Sequence, residues 1–176
     1  MSPSLASRAT RESLFGPEDS DFLEQVARLA EDYPFPHSIF GGPESEDYVL
    51  ELAARHTGRG EGWYGAALDD ENLAAVHLSV YGIGNGRNHT LFKIRHPLLA
   101  GEDGPTCLSM ALESAVEAAA AARPGTQKHV IFLGEQEQDA LHAGRRAGFT
   151  LEGIFSDYYR LGERCFVLGY TEASAS

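Results

Sequence analysis

The chain has 176 residues, of which 43% are hydrophobic and 23% charged, so it can fold as one domain with a single core and is not a disordered chain. Its 26 acidic and 14 basic residues give a formal net charge of −12, which argues against nucleic acid or an anionic membrane surface and favours a small or cationic partner. The two cysteines lie far apart without zinc-ligand spacing, so we expect neither a disulfide scaffold nor a metal site.

The distribution of apolar residues predicts a cytoplasmic protein. No run approaches the roughly 18 apolar residues of a membrane span, and the first 11 residues lack the hydrophobic stretch of a signal peptide. Residues at both ends are small and polar, which is typical of fraying termini. We therefore expect one domain over residues 1–176, with an ordered core over about residues 8–171, as a monomer or a homodimer.

Hydrophobic periodicity in the first half of the chain predicts one strand, two helices and three further strands. We expect a strand over residues 9–15, a helix that starts at Asp19 or Ser20, a helix over residues 45–56, and strands over residues 63–68, 73–81 and 90–96. Pro34 and Pro36 predict a loop between the two helices, and the aromatic residues of that loop could line a pocket. Short polar or glycine-rich connections between the last three strands predict an antiparallel meander.

The second half alternates between helices and strands. We expect a helix from Gly104 to about residue 122, a strand over residues 128–133, a helix over residues 136–147, and a closing hairpin of residues 149–160 with 164–170. A helix between two strands of one sheet needs a crossover connection, so the strands on either side of the first of these helices should be parallel.

This order of elements resembles the GCN5-related N-acetyltransferase (GNAT) family over nearly the whole chain. The most specific local match is Gly148-Phe149-Thr150-Leu151-Glu152-Gly153, followed by Ser156-Asp157-Tyr158-Tyr159-Arg160. A second match is Lys93-Ile94-Arg95-His96-Pro97, which is similar to the fourth strand of the family. The resemblance implies an α/β fold with a mixed, mostly antiparallel sheet of about seven strands, four helices, and fourth and fifth strands that are parallel and splay apart.

The resemblance also implies a thioester of coenzyme A (CoA), such as acetyl-CoA, in the gap between the splayed strands. The backbone of Ile94 and His96 would then pair with its amides. The phosphate-binding loop departs from the family pattern, because Ala100, Asp103 and Pro105 occupy its three defining positions. Pro105 has no amide to donate, and Glu102 and Asp103 carry the same charge sign as a pyrophosphate.

A weakened, re-registered phosphate loop is still expected from Gly101, Gly104 and Thr106. The family often places a basic residue of the penultimate helix near the nucleotide end of CoA. His142, Arg145 and Arg146 lie there in this chain, with Arg145 as our candidate and a solvated helix face as the alternative for all three.

Candidate acid and base residues follow the ends of the predicted strands. Glu135 or His96 would accept the proton of an attacking amine. The alternatives are a carboxylate that complements the dipole of the next helix and an imidazole that binds loop backbone. Where the family often has a tyrosine that protonates the leaving thiolate, this chain has Gly144. Either Tyr158 or Tyr159 of the hairpin is then the acid, or the thiolate leaves without one and is protonated by solvent.

Three functions remain open from the sequence. The first is an N-acyltransferase that moves an acyl group from CoA to a small amine. The second is a transferase that takes its acyl group from an acyl carrier protein or another thioester, which would explain the altered phosphate loop. The third is a silent member that binds a small ligand or a partner protein, because function depends on sites and not on folds.

Overall fold

The computed structural model describes residues 13–33, 45–55, 60–84 and 89–172. In chain order the elements are β1 Ser13–Phe15, α1 Ser20–Glu31, α2 Ser45–Arg55, β2 Gly62–Ala67, β3 Leu73–Ile83, β4 His89–Ala100, α3 Gly104–Ala122, β5 Thr126–Gly134, α4 Gln138–Arg146, β6 Thr150–Ser156 and β7 Arg164–Glu172. The seven strands form one sheet in the order β1-β2-β3-β4-β5-β7-β6. Only β4 and β5 pair in parallel, so the predicted fold class is confirmed.

Helices cover the two faces of the sheet, with a hydrophobic core on each side. On one face α3 and α4 pack against the central strands, and the apolar stripe of α3 is fully buried there. Its members are Leu108, Ala111, Leu112, Ala115 and Ala119, all at most 1% exposed. On the other face α1 and α2 cover β2, β3 and the end of β4, where Phe22, Val26 and Trp63 are buried. Within the described ranges, no helix covers the same face of β5, β7 and β6.

Strands β4 and β5 separate before either of them ends. Their pairing runs from His89–Thr126 to Ile94–Ile131. Beyond that point β4 stays with β3 as far as Ala100, whereas β5 stays with β7 as far as Gly134. The two strands therefore diverge, and the predicted splay is present.

A β-bulge marks the point of divergence. Ala75 pairs with Leu98 and His77 pairs with Arg95, so Val76 of β3 lies opposite both His96 and Pro97 of β4. His96 takes a φ angle of 53°, in the left-handed region that few non-glycine residues adopt. An extra residue in one strand bends that strand and breaks the regular ladder. The bulge thus turns β4 away from β5.

Element ends differ from the predictions mainly around the gap. Strand β4 extends to Ala100 and not only to residue 96, because the bulge lets it continue along β3. Helix α4 begins at Gln138 and not at residue 136, because residues 135 and 136 form a turn. Strand β6 ends at Ser156, so both hairpin tyrosines lie in the connection to β7. Residues 8–12, 34–44 and 56 lie outside the described residues, as do the predictions that concern them.

A fully buried histidine on β5 should make the protein acid-sensitive. His129 is 0% exposed, neither ring nitrogen has a hydrogen-bond partner, and the ring stacks on Phe92 with centroids 4.9 Å apart. Burial lowers its pKa from 6.5 to about 4. The folded state therefore resists a proton that the unfolded chain accepts, so stability is complete above about pH 6.5 and falls as the pH drops towards 4.

We expect this group to remove about 3 kcal/mol of unfolding free energy over that range, and His129→Leu to abolish most of the loss. Urea unfolding at a series of pH values measures how steeply the unfolding free energy changes with pH. His142→Gln, which removes an exposed histidine of α4, is the control and should keep the wild-type slope. Equal slopes for His129→Leu and the wild type would assign the acid sensitivity to other groups.

Candidate active site

A tyrosine hydroxyl lies at the gap between β4 and β5. Tyr159 donates a hydrogen bond to the carbonyl oxygen of Phe132, the first residue of β5 beyond the paired segment, at 3.4 Å. Burial, followed by the nearby Cys165 and Glu137, raises the pKa of Tyr159, while Arg95 of β4 opposes that rise. The hydroxyl therefore stays protonated at physiological pH and is a hydrogen-bond donor at the gap.

A buried carboxylate closes the far end of the gap. Glu137 is 1% exposed, and its Oε2 accepts a hydrogen bond from the backbone amide of Gly134 at 2.6 Å. Its Oε1 accepts a hydrogen bond from the hydroxyl of Tyr33, which follows α1, and burial and the carboxylate together raise the pKa of that tyrosine. The carboxylate thus ties α1 to the start of α4.

The sequence analysis missed Glu137 because it started the helix two residues too early. Glu137 then counted as a residue inside the helix, whereas it is the N-cap residue of α4. Two acidic residues follow β5, and periodicity alone does not tell which of them turns inward. No sequence signal separates the two, because the predicted helix start at residue 136 placed Glu135 immediately before the helix.

The other acidic residue, Glu135, faces β7. Its carboxylate forms an ion pair with the guanidinium of Arg164 and accepts a hydrogen bond from the backbone amide of that residue at 3.2 Å. These hydrogen bonds lower the pKa of Glu135. Arg164 lies at the start of β7, on the side of β5 away from β4, so this position does not favour Glu135 as the base, and its role stays a prediction.

His96 lies at the bulge and faces the side of the sheet covered by α1 and α2. Its Nε2 is 3.2 Å from the hydroxyl oxygen of Tyr48 on α2, and its ring centroid is 6.2 Å from that of Trp63. The imidazole is half-buried next to the gap, and its role as the base stays a prediction.

The two hairpin tyrosines have different environments. Tyr159 points inward to Phe132, whereas Tyr158 is 48% exposed and stacks on the ring of Phe132 with centroids 5.4 Å apart. Strand alternation cannot be the reason, since both residues lie beyond β6. Both lie instead inside an irregular turn, in which Asp157 has a φ of 58° and its carboxylate accepts a hydrogen bond from the amide of Gly162 at 2.5 Å.

The amides at the start of α3 bind within the protein. The Asp103 amide donates to the side-chain oxygen of Asn72 at 2.9 Å, and the Gly104 amide donates to the Gly101 carbonyl at 3.1 Å. The amides of Thr106 and Cys107 both donate to the Asp103 carbonyl at 3.0 Å. A pyrophosphate placed here would not find the row of amides that helix N-termini usually offer to anions.

Two side chains at this end of α3 can still contact a phosphate. Nη1 of Arg146 on α4 lies 3.2 Å from the hydroxyl oxygen of Thr106. The structure thus brings Thr106 together with Arg146, the neighbour of the residue that the sequence analysis favoured. Arg145 is exposed on α4, and its predicted contact with CoA stays a prediction.

Close packing explains the glycine in place of the family tyrosine. Gly144 is buried in α4, and a Cβ atom there would lie only 2.7 Å from Cδ1 of Leu168 on β7. A glycine inside a helix costs about 1 kcal/mol relative to alanine, so its presence calls for a packing reason. A tyrosine at this position would have to displace the side chain of Leu168 or move α4 away from the sheet.

The described residues hold neither a metal-binding cluster nor a membrane-spanning helix. Within the four described ranges, no group of three or more His, Cys, Asp or Glu side chains is arranged to hold a metal ion. Over the same ranges, every helix is too short or too polar to span a membrane.

Comparison with solved structures supports the fold. The chain is similar to NAA60 of Arabidopsis thaliana in complex with a bisubstrate analogue, at 11% identity over 94% of this chain and 100% of that chain, with a TM-score of 0.65. It is similar to Naa50 of the same plant in complex with the bisubstrate analogue CoA-Ac-MVNAL, at 18% identity, coverages of 90% and 97% and a TM-score of 0.59. It is also similar to spermidine N-acetyltransferase of Vibrio cholerae in complex with CoA and spermine, at 14% identity, coverages of 91% and 95% and a TM-score of 0.55.

The sequence itself has no such match: no protein-family model and no curated protein matches it. The strand order, the splayed β4–β5 pair and the structural neighbours together show that the chain has the GNAT fold. The resemblance drawn from the sequence is confirmed at that level.

The acidic loop before α3 should weaken CoA binding. Glu102 and Asp103 are exposed, and the Asp103 side chain makes no capping hydrogen bond, so their carboxylates can be neutralised without loss of a contact. We expect the double variant Glu102→Gln, Asp103→Asn to bind CoA several-fold more tightly, by calorimetry, because like-charge repulsion is removed. Glu117→Gln, an exposed change near the other end of α3, is the control. Weaker binding by the double variant would mean that the loop contacts the nucleotide favourably.

Proposed function

We propose that this chain is an N-acyltransferase that moves an acyl group from a CoA thioester to a small amine. The observation that carries the proposal is the gap between β4 and β5, with the Tyr159 hydroxyl at one side and His96 at the other. A carbonyl carbon held in that gap would have a hydrogen-bond donor and a proton acceptor within reach. The GNAT fold of the chain and the CoA ligands named for its structural neighbours support a thioester donor.

The residues present fit the two ends of CoA unequally. The diverging edges of β4 and β5 fit an extended pantetheine chain. Its amides would pair with the backbone of Ile94 and His96. At the nucleotide end the α3 amides are already bonded, so Arg146 and the hydroxyl of Thr106 would hold the phosphates instead. Gly101 has a φ of 83° and lies against Asn72, where a side chain would not fit, so the loop itself requires this glycine and its contact with the phosphates stays a prediction.

In this mechanism each side chain has a separate task. His96 accepts the proton that the amine loses during attack, with Tyr48 fixing the orientation of its ring. Tyr159 donates a hydrogen bond to the sulfur as negative charge develops there, which is the kind of preorganised electrostatic stabilisation that lowers barriers. Tyr33 and Glu137 hold the end of α1 close to the gap.

A second donor is favoured by the same loop. The occupied α3 amides and the acidic Glu102 and Asp103 suit a thioester that brings no nucleotide to this place, such as the pantetheine arm of an acyl carrier protein. The two donors differ in one testable respect, which is whether the nucleotide half of CoA contributes to binding and turnover.

Acetyl-CoA and acetyl-pantetheine separate these possibilities. With a mixture of primary amines as acceptors, we expect thiol release from acetyl-CoA, with a kcat/KM at least about tenfold above that for acetyl-pantetheine if Arg146 and Thr106 bind phosphate. Equal values for the two donors would favour a carrier protein. Binding of acetyl-CoA in the gap without thiol release from either donor would identify a silent ligand-binding protein.

Tyr159→Phe should lower kcat by about a hundredfold, because it removes the hydrogen bond to the leaving sulfur. Tyr158→Phe is the matched control and should leave kcat nearly intact, because that ring contributes only exposed stacking. Thermal melting of both variants tests whether the fold survives loss of the Phe132 contact. A comparable loss on His142→Gln would instead put the acid on α4 and contradict the assignment.

A further inference from the structure

Two positive side chains lie side by side on the face of β4 opposite α3. Phe92 and Ile94 point into the core beneath α3, so Lys93 and Arg95, which alternate with them, face the opposite side of the sheet. This is the side covered in part by α1 and α2, onto which His96 also projects. The pair therefore lies across the sheet from α3, α4 and the contact of Arg146 with Thr106.

Neither cation has a carboxylate partner within the described ranges. The Nε atom of Arg95 is buried without a hydrogen-bond partner. Burial, and then the charge of Arg95, lower the pKa of Lys93. Carboxylates nearby are already engaged, Glu137 by Tyr33 and Gly134 and Glu135 by Arg164. Two like charges held together and partly desolvated are costly unless an anion joins them.

Aromatic rings hold Lys93 in place without neutralising it. Its Nζ lies 4.7 Å from the ring centroid of Phe132 and 5.7 Å from that of Tyr81. Tyr158 extends this aromatic surface by stacking on Phe132. Tyr81 is 64% exposed and Tyr158 is 48% exposed, so both rings offer apolar area to a ligand. The charge of Lys93 stays available because a cation–π contact leaves the ammonium free to bind an anion.

The cation pair lies at the entrance of the proposed reaction site. Arg95 is the first residue of β4 beyond the last β4–β5 pair and directly precedes His96. It is also close enough to Tyr159 that its charge opposes the rise in the pKa of that hydroxyl. An anion bound to Lys93 and Arg95 would therefore place the rest of its molecule against the aromatic rings and next to the gap.

We propose that Lys93 and Arg95 bind an anionic group of the acceptor, so that the substrate is an amine that also carries a carboxylate, with an aromatic or apolar body. The inference rests on the proposed transferase function and names the class of its acceptor. The planar guanidinium of Arg95 matches a carboxylate through two parallel hydrogen bonds, and Lys93 adds a second charge. A polyamine would meet two positive charges here, so the local field selects against it even though the net charge of the chain is −12.

L-Phenylalanine and phenethylamine form a matched pair of acceptors, because they differ only in the carboxylate. With acetyl-CoA as the donor we expect panels of L-amino acids to be acetylated in preference to the corresponding decarboxylated amines and to spermidine. Arg95→Gln should lower kcat/KM for the amino acids about tenfold to a hundredfold and leave that for the amines within about twofold. Arg95→Lys keeps the charge and loses the planar guanidinium, so its kcat/KM for the amino acids should lie between those of the wild type and Arg95→Gln.

Lys128→Gln is the control for the loss of one positive charge. Lys128 of β5 lies on the same face of the sheet as Lys93 and Arg95, but it is already paired with Glu152 of β6. Its replacement should leave the preference for amino acids over amines unchanged. A wild-type preference for spermidine or for the decarboxylated amines would overturn the inference and leave the transferase function intact. So would an effect of Arg95→Gln that appears only with succinyl-CoA as the donor, because the carboxylate would then belong to the acyl group.

A binding measurement separates failure of the inference from failure of the proposed function. Calorimetry with N-acetyl-L-phenylalanine should detect binding to the wild type that Arg95→Gln weakens about tenfold or more. If no amine is acetylated and this binding is nevertheless found, the transferase function is rejected and the anion site remains. If the wild type does not bind this anion, or binds it as well as Arg95→Gln does, the anion site is rejected.

Discussion

The bulge at His96 and Pro97 is the constraint on which the candidate site depends. Two residues of β4 lie opposite the single Val76 of β3, so β4 turns away from β5 while its pairing with β3 continues. Strand β5 keeps its backbone bonds by pairing with β7 to the end. Each strand thus stays hydrogen-bonded on one side. The two edges that face each other across the gap lose their β4–β5 backbone hydrogen bonds. Backbone groups at such edges need other partners, and an extended ligand can supply them.

Residues distant in sequence fill the far end of this gap. Tyr159 arrives from the hairpin after β6, Glu137 from the turn after β5, and Tyr33 from the end of α1. Their hydrogen bonds are wholly or partly buried, so each holds its neighbour in one orientation. This arrangement keeps the Tyr159 hydroxyl protonated. It also joins the helix pair on one face of the sheet to the strands that bear the chemistry.

Local charge and net charge lead to opposite expectations about the acceptor. The excess of acidic residues suggests a cationic partner when it is averaged over the molecule. The face of β4 opposite α3 instead carries Lys93 and Arg95, and no carboxylate of the described ranges neutralises them. Screening limits the reach of distant surface charges to about 10 Å, so the nearest charges decide what a small ligand experiences. The acidic surface then affects the solubility of the protein and the approach of ligands more than it affects which acceptor binds.

The sequence by itself determined the order of the elements and the crossover between β4 and β5, because these follow from periodicity and from chain connectivity. It also identified Gly144 as a departure, although only the contact with Leu168 explains why a side chain is excluded there. Tertiary structure alone decided which of two neighbouring carboxylates is buried, since a two-residue shift in the start of α4 exchanges Glu135 for Glu137. It likewise decided which hairpin tyrosine turns inward, because an irregular turn at Asp157 has no period from which to predict it. The charges on one face of β4 acquire meaning only when the partners on adjacent strands are known, and those partners come from parts of the chain that sequence proximity does not bring together.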